Sequence, residues 1–184
     1  MTKSVLVLLA DGFEEIEAVT AIDVLRRAGL KVLTVGVGKK EITGAHNIHV
    51  MADVELENTS EIPDAVVLPG GMPGAANLKK SPAVTQLLQK MKNSGKLIAA
   101  ICASPAVVLS PQGILDGKKA TCYPGFENDF SAKVKVSQDR VVRDGLVTTS
   151  RGPGSALEFS IELVSQLVDK DTSQKLAKGM LLKA

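Results

Sequence analysis

The chain has 184 residues, a formal net charge of +2, 45% apolar and only 3% aromatic residues, two cysteines, two histidines and no tryptophan. One domain over residues 1–184 with a large apolar core fits that length, which excludes a disordered chain; near-zero charge and few aromatics exclude a bulk drive toward nucleic acid or acidic membranes and a base-stacking platform. Four Cys and His residues do not make a normally spaced four-ligand zinc site, no apolar run reaches ~18 residues and no secretory signature opens the chain, so the expectation is a cytoplasmic protein with free thiols and neither metal nor cofactor.

Residues 3–10 are a short apolar run bounded by Asp11-Gly12 and read as a strand buried on both faces. Residues 14–28 read as a helix stopped by Gly29, and 31–37 as a second strand, which makes a βαβ unit with parallel strands. Residues 38–60 are mixed, with a hairpin around Gly44 and weak strands near Ile42 and 48–51. A buried strand over 65–68 leads into the glycine-rich run 69–74. A helix over 82–94 ends at Gly95, a strand follows at 96–101, and Cys102 stands at its end. Pro105 starts another helix, since proline is favoured in the first turn. Short strands are predicted near 119–122, 134–136, 141–142 and 146–149, with helices over 153–168 and 173–180. The pattern predicts an α/β three-layer sandwich, its sheet mostly parallel and its helices on both faces.

In such sheets ligands bind beyond the carboxyl ends of the strands, which selects the loops 11–17, 69–74 and 102–105. Cys102 lies between strand end and helix start, where a sharp turn lifts its side chain above the sheet edge. The mechanics are those of a nucleophile elbow, with Ala100 and Ser104 in place of the flanking glycines. The N–H groups and dipole of the following helix favour the thiolate. The plain alternative is a buried cysteine acting as a small hydrophobe. Cys122 has no helix start after it and reads as a spectator.

Asp11 and Glu14 have the spacing of a capping box, which accounts for both structurally. Glu17 is different. At about 100° per residue it falls in the arc of Phe13, Ala21, Val24 and Ala28, whereas Glu15, Thr20, Asp23, Arg26 and Arg27 take the polar side. A carboxyl on the inward face is desolvated and its pKa rises, as a general acid/base near neutral pH requires. A buried glutamate bonded only to backbone is the alternative. Ile16 and Val19 interrupt the polar side, either as a contact surface for a homodimer or as scattered exposed apolars.

The 69–74 loop lacks the Gly-Lys-Ser/Thr of a phosphate-binding loop. Backbone N–H groups at Gly71 and Ala103 near Cys102 could form an oxyanion hole; a tight turn needing glycine explains the loop equally well. Arg151-Gly-Pro-Gly154 is either a helix-entry turn or a site wall. His46 and His49 fall in the hairpin region and Tyr123, not a histidine, ends its strand, so position gives no support to a Cys-His dyad.

Taken together, Ala10-Asp-Gly-Phe-Glu-Glu-Ile-Glu17, Arg26-Arg-Ala-Gly29, Val67-Leu-Pro-Gly-Gly71, Ala99-Ala-Ile-Cys-Ala103 and Thr149-Ser-Arg-Gly-Pro-Gly154 resemble the DJ-one branch of the ThiJ/PfpI superfamily over nearly the whole chain. The resemblance implies a flavodoxin-like sandwich and a homodimer formed through the first helix, with Ile16 and Val19 at the contact. It also implies an oxidation-sensitive Cys102 hydrogen-bonded to protonated Glu17, backbone N–H groups from Gly70, Gly71 and Ala103, and a site wall of Tyr123, Arg151 and Pro153. The family is described as a cofactor-independent glyoxalase, as a deglycase of glyoxal-modified protein and nucleotide, and as an oxidative-stress sensor or chaperone. The chain departs from many members at Tyr123, where they carry histidine, and at Met51, where a second modifiable cysteine stands near their dimer contact.

Overall fold

The computed structural model describes residues 2–182. Its frame is set by runs too apolar for any surface position. Ser4–Leu9 (β1), Ala65–Leu68 (β6) and Leu97–Ile101 (β7) are almost wholly buried. Strands buried on both faces belong in the middle of a parallel sheet covered by helices. Lys31–Gly36 (β2) and Val54–Glu55 (β5) extend the sheet on one side. Val147–Ser150 (β11) and Val141–Asp144 (β10) extend it on the other, giving the order β10-β11-β7-β6-β1-β2-β5. Every pairing is parallel except β10 with β11, an edge hairpin that joins Val141 to Ser150 and Asp144 to Val147.

Glu15–Arg27 (α1) crosses from β1 to β2, and Gly74–Lys80 (α2) with Pro82–Asn93 (α3) crosses from β6 to β7. The two crossings run in opposite directions along the sheet, so right-handed connections place them on opposite faces. Ala156–Leu167 (α4) packs against α1, and Lys170–Gly179 (α5) packs on α4. This is the flavodoxin-like sandwich expected. Two small ladders lie outside the main sheet. Glu41–Thr43 (β3) pairs with His49–Met51 (β4), and Lys119–Ala120 (β8) with Lys135–Val136 (β9). Among the described residues, no helix is long and apolar enough to cross a membrane.

The structure departs from the sequence pattern in four places. Gly74–Lys80 is helical, because Gly74 N and Ala75 N bond to Gly12 O and Gly71 O and so start a turn that the glycine-rich run conceals. Pro105–Leu109 is a single π-helical turn followed by a 3-10 turn at Ser110–Gln112, not a regular helix. Residues 121–122 leave the strand after two paired residues. The capping box does not form. Glu14 caps α1 without a side-chain bond. Asp11 instead accepts from Thr43 N at 2.9 Å and pairs with Lys39 at 2.7 Å.

Candidate active site

Cys102 is the residue on which the carboxyl ends of the central strands converge. Its φ is +66°, a left-handed conformation that non-glycine residues avoid at a cost of about 1–2 kcal/mol. The surroundings hold it there. Cys102 N donates to Ser150 O at 2.9 Å, Tyr123 N donates to Cys102 O at 2.8 Å, and buried Ser104 donates to Pro69 O. Strain retained in this way at a strand end is what a nucleophile elbow requires.

Glu17, in the first turn of α1, reaches the same point from a neighbouring strand end. It is 1% exposed, and Gly70 N donates to its Oε2 at 2.7 Å. Its other oxygen, Oε1, is buried without a hydrogen-bond partner. Gly70 is the point of closest approach. A Cβ there would lie 2.5 Å from Cys102 Cβ and 3.0 Å from both Cys102 Sγ and Glu17 Oε2. No residue but glycine fits between the sulfur and the carboxyl. Gly71 serves the turn itself, with φ +84° and Cβ space already taken by the backbone of Gly12 to Glu14. Glu14 N, bonded to Gly70 O at 3.0 Å, ties the two loops together.

Electrostatics makes the pair one unit. Burial pushes the Glu17 carboxyl up to about 7 and the nearby charge of Glu14 adds to this, against the bonds from Gly70 and Cys102. Burial pushes the Cys102 thiol up to about 12, the Glu17 carboxylate pushes the same way, and the N–H groups of Gly71 and Ala103 oppose both. Two anions side by side in a dry site are disfavoured, so the pair keeps at least one proton above neutral pH, and these shifts leave it on the sulfur. The thiolate exists when Glu17 holds that proton. The sequence pattern credits the thiolate to a helix dipole. One π-helical turn supplies little dipole; burial and Glu17 dominate and work against the thiolate, and only the N–H groups of Gly71 and Ala103 favour it.

The three backbone groups divide their work. Gly71 and Ala103 direct their N–H groups at the sulfur. Gly70, expected beside them, has its N–H committed to Glu17 and does not serve an oxyanion. Tyr123, Arg151 and Pro153 do line one cavity, but neither Cys102 nor Glu17 is among its walls. Arg151 bonds to Gln138 and lies 4.0 Å from Glu127. Cys122 is 1% exposed, and burial followed by the Glu127 charge pushes its thiol up to about 12; unlike Cys102 it has no backbone N–H groups to oppose the shift.

One cluster escapes helical periodicity. Glu15, assigned to the solvated side of α1, is 5% exposed because the β3–β4 hairpin covers it. Its oxygens accept from His46 N at 2.7 Å, from the His46 ring at 2.9 Å and more weakly from Ile48 N. Burial opposes ionisation of Glu15, but these donors outweigh it and hold the carboxyl below its usual range. The Glu15 bond, with the charges of Glu14 and Glu15, raises the His46 pKa. The ligand atoms of Glu14, Glu15 and His46 lie within 4.8 Å of one another, the arrangement among the described residues with donors suited to a cation. Both Glu15 oxygens already hold hairpin donors, so the cluster is accounted for as an anchor of hairpin on helix. Only the fold brings residues 15 and 46 together, and no local pattern announces it.

A parallel α/β sandwich with a strand-end cysteine in left-handed conformation, abutting a buried glutamate through a glycine, defines a thiol-centred site class. The DJ-1/PfpI family profile matches residues 3–166, and the chain belongs to that family. It is 41% identical to the protein dj-1beta of Drosophila melanogaster over 185 residues, covering 99% of this chain and 98% of that one. It is 40% identical to the protein DJ-1 homolog B of Arabidopsis thaliana over 184 residues, 99% of this chain but 42% of that longer protein. The chain thus spans less than half the length of some of its curated relatives. The glutathione-independent glyoxalase DJR-1.2 of Caenorhabditis elegans is 36% identical over 183 residues, 98% of this chain and 97% of that one. The solved structure of oxidized Toxoplasma gondii DJ-1 superposes with a TM-score of 0.94 at 41% identity, covering both chains completely.

Proposed function

We propose that the chain is a cofactor-independent glyoxalase that converts 2-oxoaldehydes, free or as adducts, to 2-hydroxy acids. The observation that supports this most directly is the buried Glu17 carboxyl set beside Cys102 across Gly70. The Cys102 thiolate attacks the aldehyde carbon, and the former carbonyl oxygen becomes an oxyanion held by Gly71 and Ala103 N–H groups. That oxygen takes the proton that Glu17 held while the sulfur was a thiolate, which gives a hemithioacetal and leaves Glu17 as the carboxylate. Glu17, as carboxylate, removes the hydrogen of the former aldehyde carbon to leave an enediol. It returns the proton to the neighbouring carbon, forming a 2-hydroxy thioester. Water cleaves the thioester, giving lactate from methylglyoxal and restoring the thiol. A carboxyl raised to about 7 suits a group that must both accept and donate at neutral pH. The name of the nematode relative points the same way. Lactate formation by the wild type, Cys102→Ala and Glu17→Gln tests the reading: loss in both variants is expected, and equal rates in all three would end it.

A second reading, an oxidation sensor, is favoured by the buried, unpartnered Glu17 Oε1 of a carboxyl that contacts Cys102. A protonated Oε1 would donate to a Cys102 sulfinate oxygen and stabilise that state. The oxidized state of the Toxoplasma relative fits it. Peroxide treatment should add two oxygens to Cys102, read by intact and peptide mass; no gain while other thiols react argues against sensing. The assembly we propose is a homodimer through α1. Ile16 and Val19 are both exposed on α1, and exposed Ile48 lies close by through its N–H bond to Glu15, apolar surface of the kind that self-association covers.

A further inference from the structure

Two successive peptide groups of the 69–71 loop face the thiol site, and each is held from behind. The first joins Pro69 O to Gly70 N. Its N–H donates to Glu17 Oε2 at 2.7 Å, and its carbonyl accepts from the Ser104 hydroxyl at 2.5 Å. The second joins Gly70 O to Gly71 N. Its N–H is directed at the Cys102 sulfur, and its carbonyl accepts from Glu14 N at 3.0 Å. Each peptide thus stands between an outer donor and one reacting group. The outer donor of the second is backbone. That of the first is a side chain, which a substitution can remove.

Helix capping does not account for Ser104. It precedes the turn at Pro105–Leu109, where a serine normally caps free N–H groups, yet its hydroxyl makes no capping bond. The residue is 0% exposed, so the hydroxyl needs a partner, and Pro69 O is that partner. Ser104 lies two residues past Cys102, so the same bond ties the cysteine's turn to the loop that meets Glu17. A donor on its carbonyl polarises an amide and strengthens its N–H, by about 10–30% in chains of hydrogen bonds. It also fixes the plane of a peptide that leads into two glycines and would otherwise turn easily.

We propose that Ser104 is a positioning residue of the thiol site: through the Pro69–Gly70 peptide its hydroxyl orients and strengthens the N–H that meets Glu17, and so sets how firmly Glu17 keeps its proton. The inference rests on Glu17 as the proton carrier of the oxoaldehyde reading and adds what tunes it. Among the described residues, the ionisable groups that face Glu17 are Cys102 at the end of β7 and Glu14 at the start of α1. Replacing Ser104 alters neither.

The test reads the carboxyl itself. Infrared spectra of the wild type, Ser104→Ala and Ser104→Thr, titrated through the neutral range against Glu17→Gln as the blank, isolate the protonated Glu17 band. Its midpoint lies at about 7 in the wild type. The bond from Gly70 favours the carboxylate, so weakening it raises the midpoint. In Ser104→Ala the rise should be about 0.5–2 pH units, from partial to full loss of a hydrogen bond to a charged group. Ser104→Thr keeps the hydroxyl and should return the midpoint toward the wild-type value. An unmoved midpoint in Ser104→Ala overturns the proposal, even where the melting temperature falls, because the serine is then merely structural. An equal rise in Ser104→Thr overturns it too, since the hydroxyl is then not the cause. No turnover is needed: a wild type that forms no lactate removes the oxoaldehyde reading, and the titration still decides the role of Ser104.

Discussion

Replacing Glu17 by glutamine separates the effect of its charge from that of its shape. Glutamine is nearly isosteric with a protonated glutamate: its oxygen can accept from Gly70 N and its amide can face the Cys102 sulfur. What it lacks is the proton. In the folded protein burial raises the Glu17 carboxyl from 4.5 to about 7. The folded chain therefore binds this proton more tightly than the unfolded chain, and stability from the neutral acid is complete below pH 4.5 and lost as pH rises toward 7. A shift of about 2.5 units at 1.36 kcal/mol each amounts to about 3 kcal/mol. Urea unfolding of both proteins, followed by far-ultraviolet circular dichroism from pH 4.5 to 8, measures it. The variant should gain about 3 kcal/mol relative to the wild type across that range and change little above it. Groups such as His46 titrate alike in both proteins and cancel in the difference. A pH-independent difference would refute the claim that Glu17 is held protonated by burial.

Gly70→Ala should destabilise the fold by about 1–3 kcal/mol by overpacking and slow alkylation of Cys102, since the new methyl group meets both the sulfur and the carboxyl; wild-type melting and alkylation rates would contradict the close approach. Ile16→Lys with Val19→Lys should convert a dimer to a monomer in sedimentation equilibrium, and an unchanged mass would remove α1 from the interface. His46→Ala should lower the melting temperature at pH 5.5 and less so at pH 8.5. The raised His46 pKa means that its bond to Glu15 stabilises the fold at low pH, an effect lost as pH rises through the folded value. Equal losses at both pH values would show that its charge is irrelevant.

Much of this was legible in the sequence where the cause is local. Both-face apolar runs marked β1, β6 and β7, and the strand end placed Cys102. The helical period turned Glu17 inward, because a residue on the arc of Ala21 and Val24 must meet the sheet. Glu15 defeated the same argument. Period assigns a face, but a hairpin some thirty residues away decides whether that face is wet. Gly70 shows a related limit: composition foretells a tight glycine turn, not which acceptor its N–H meets, and here that acceptor arrives from α1. The missed helix α2 is hidden by the Pro-Gly run, whose free N–H groups are satisfied by the Gly12 loop. The dipole argument for Cys102 failed because a π-helical turn replaced the expected helix.

The central claim is that Cys102 and Glu17 act as one proton-sharing unit on a 2-oxoaldehyde. Lactate released from methylglyoxal at pH 7 by the wild type, Cys102→Ala and Glu17→Gln, with folding verified for each, addresses it most directly. The account predicts stoichiometric lactate from the wild type and a loss of at least about a hundredfold in each variant, the range in which a general acid/base contributes. Undiminished lactate formation by Glu17→Gln would contradict it.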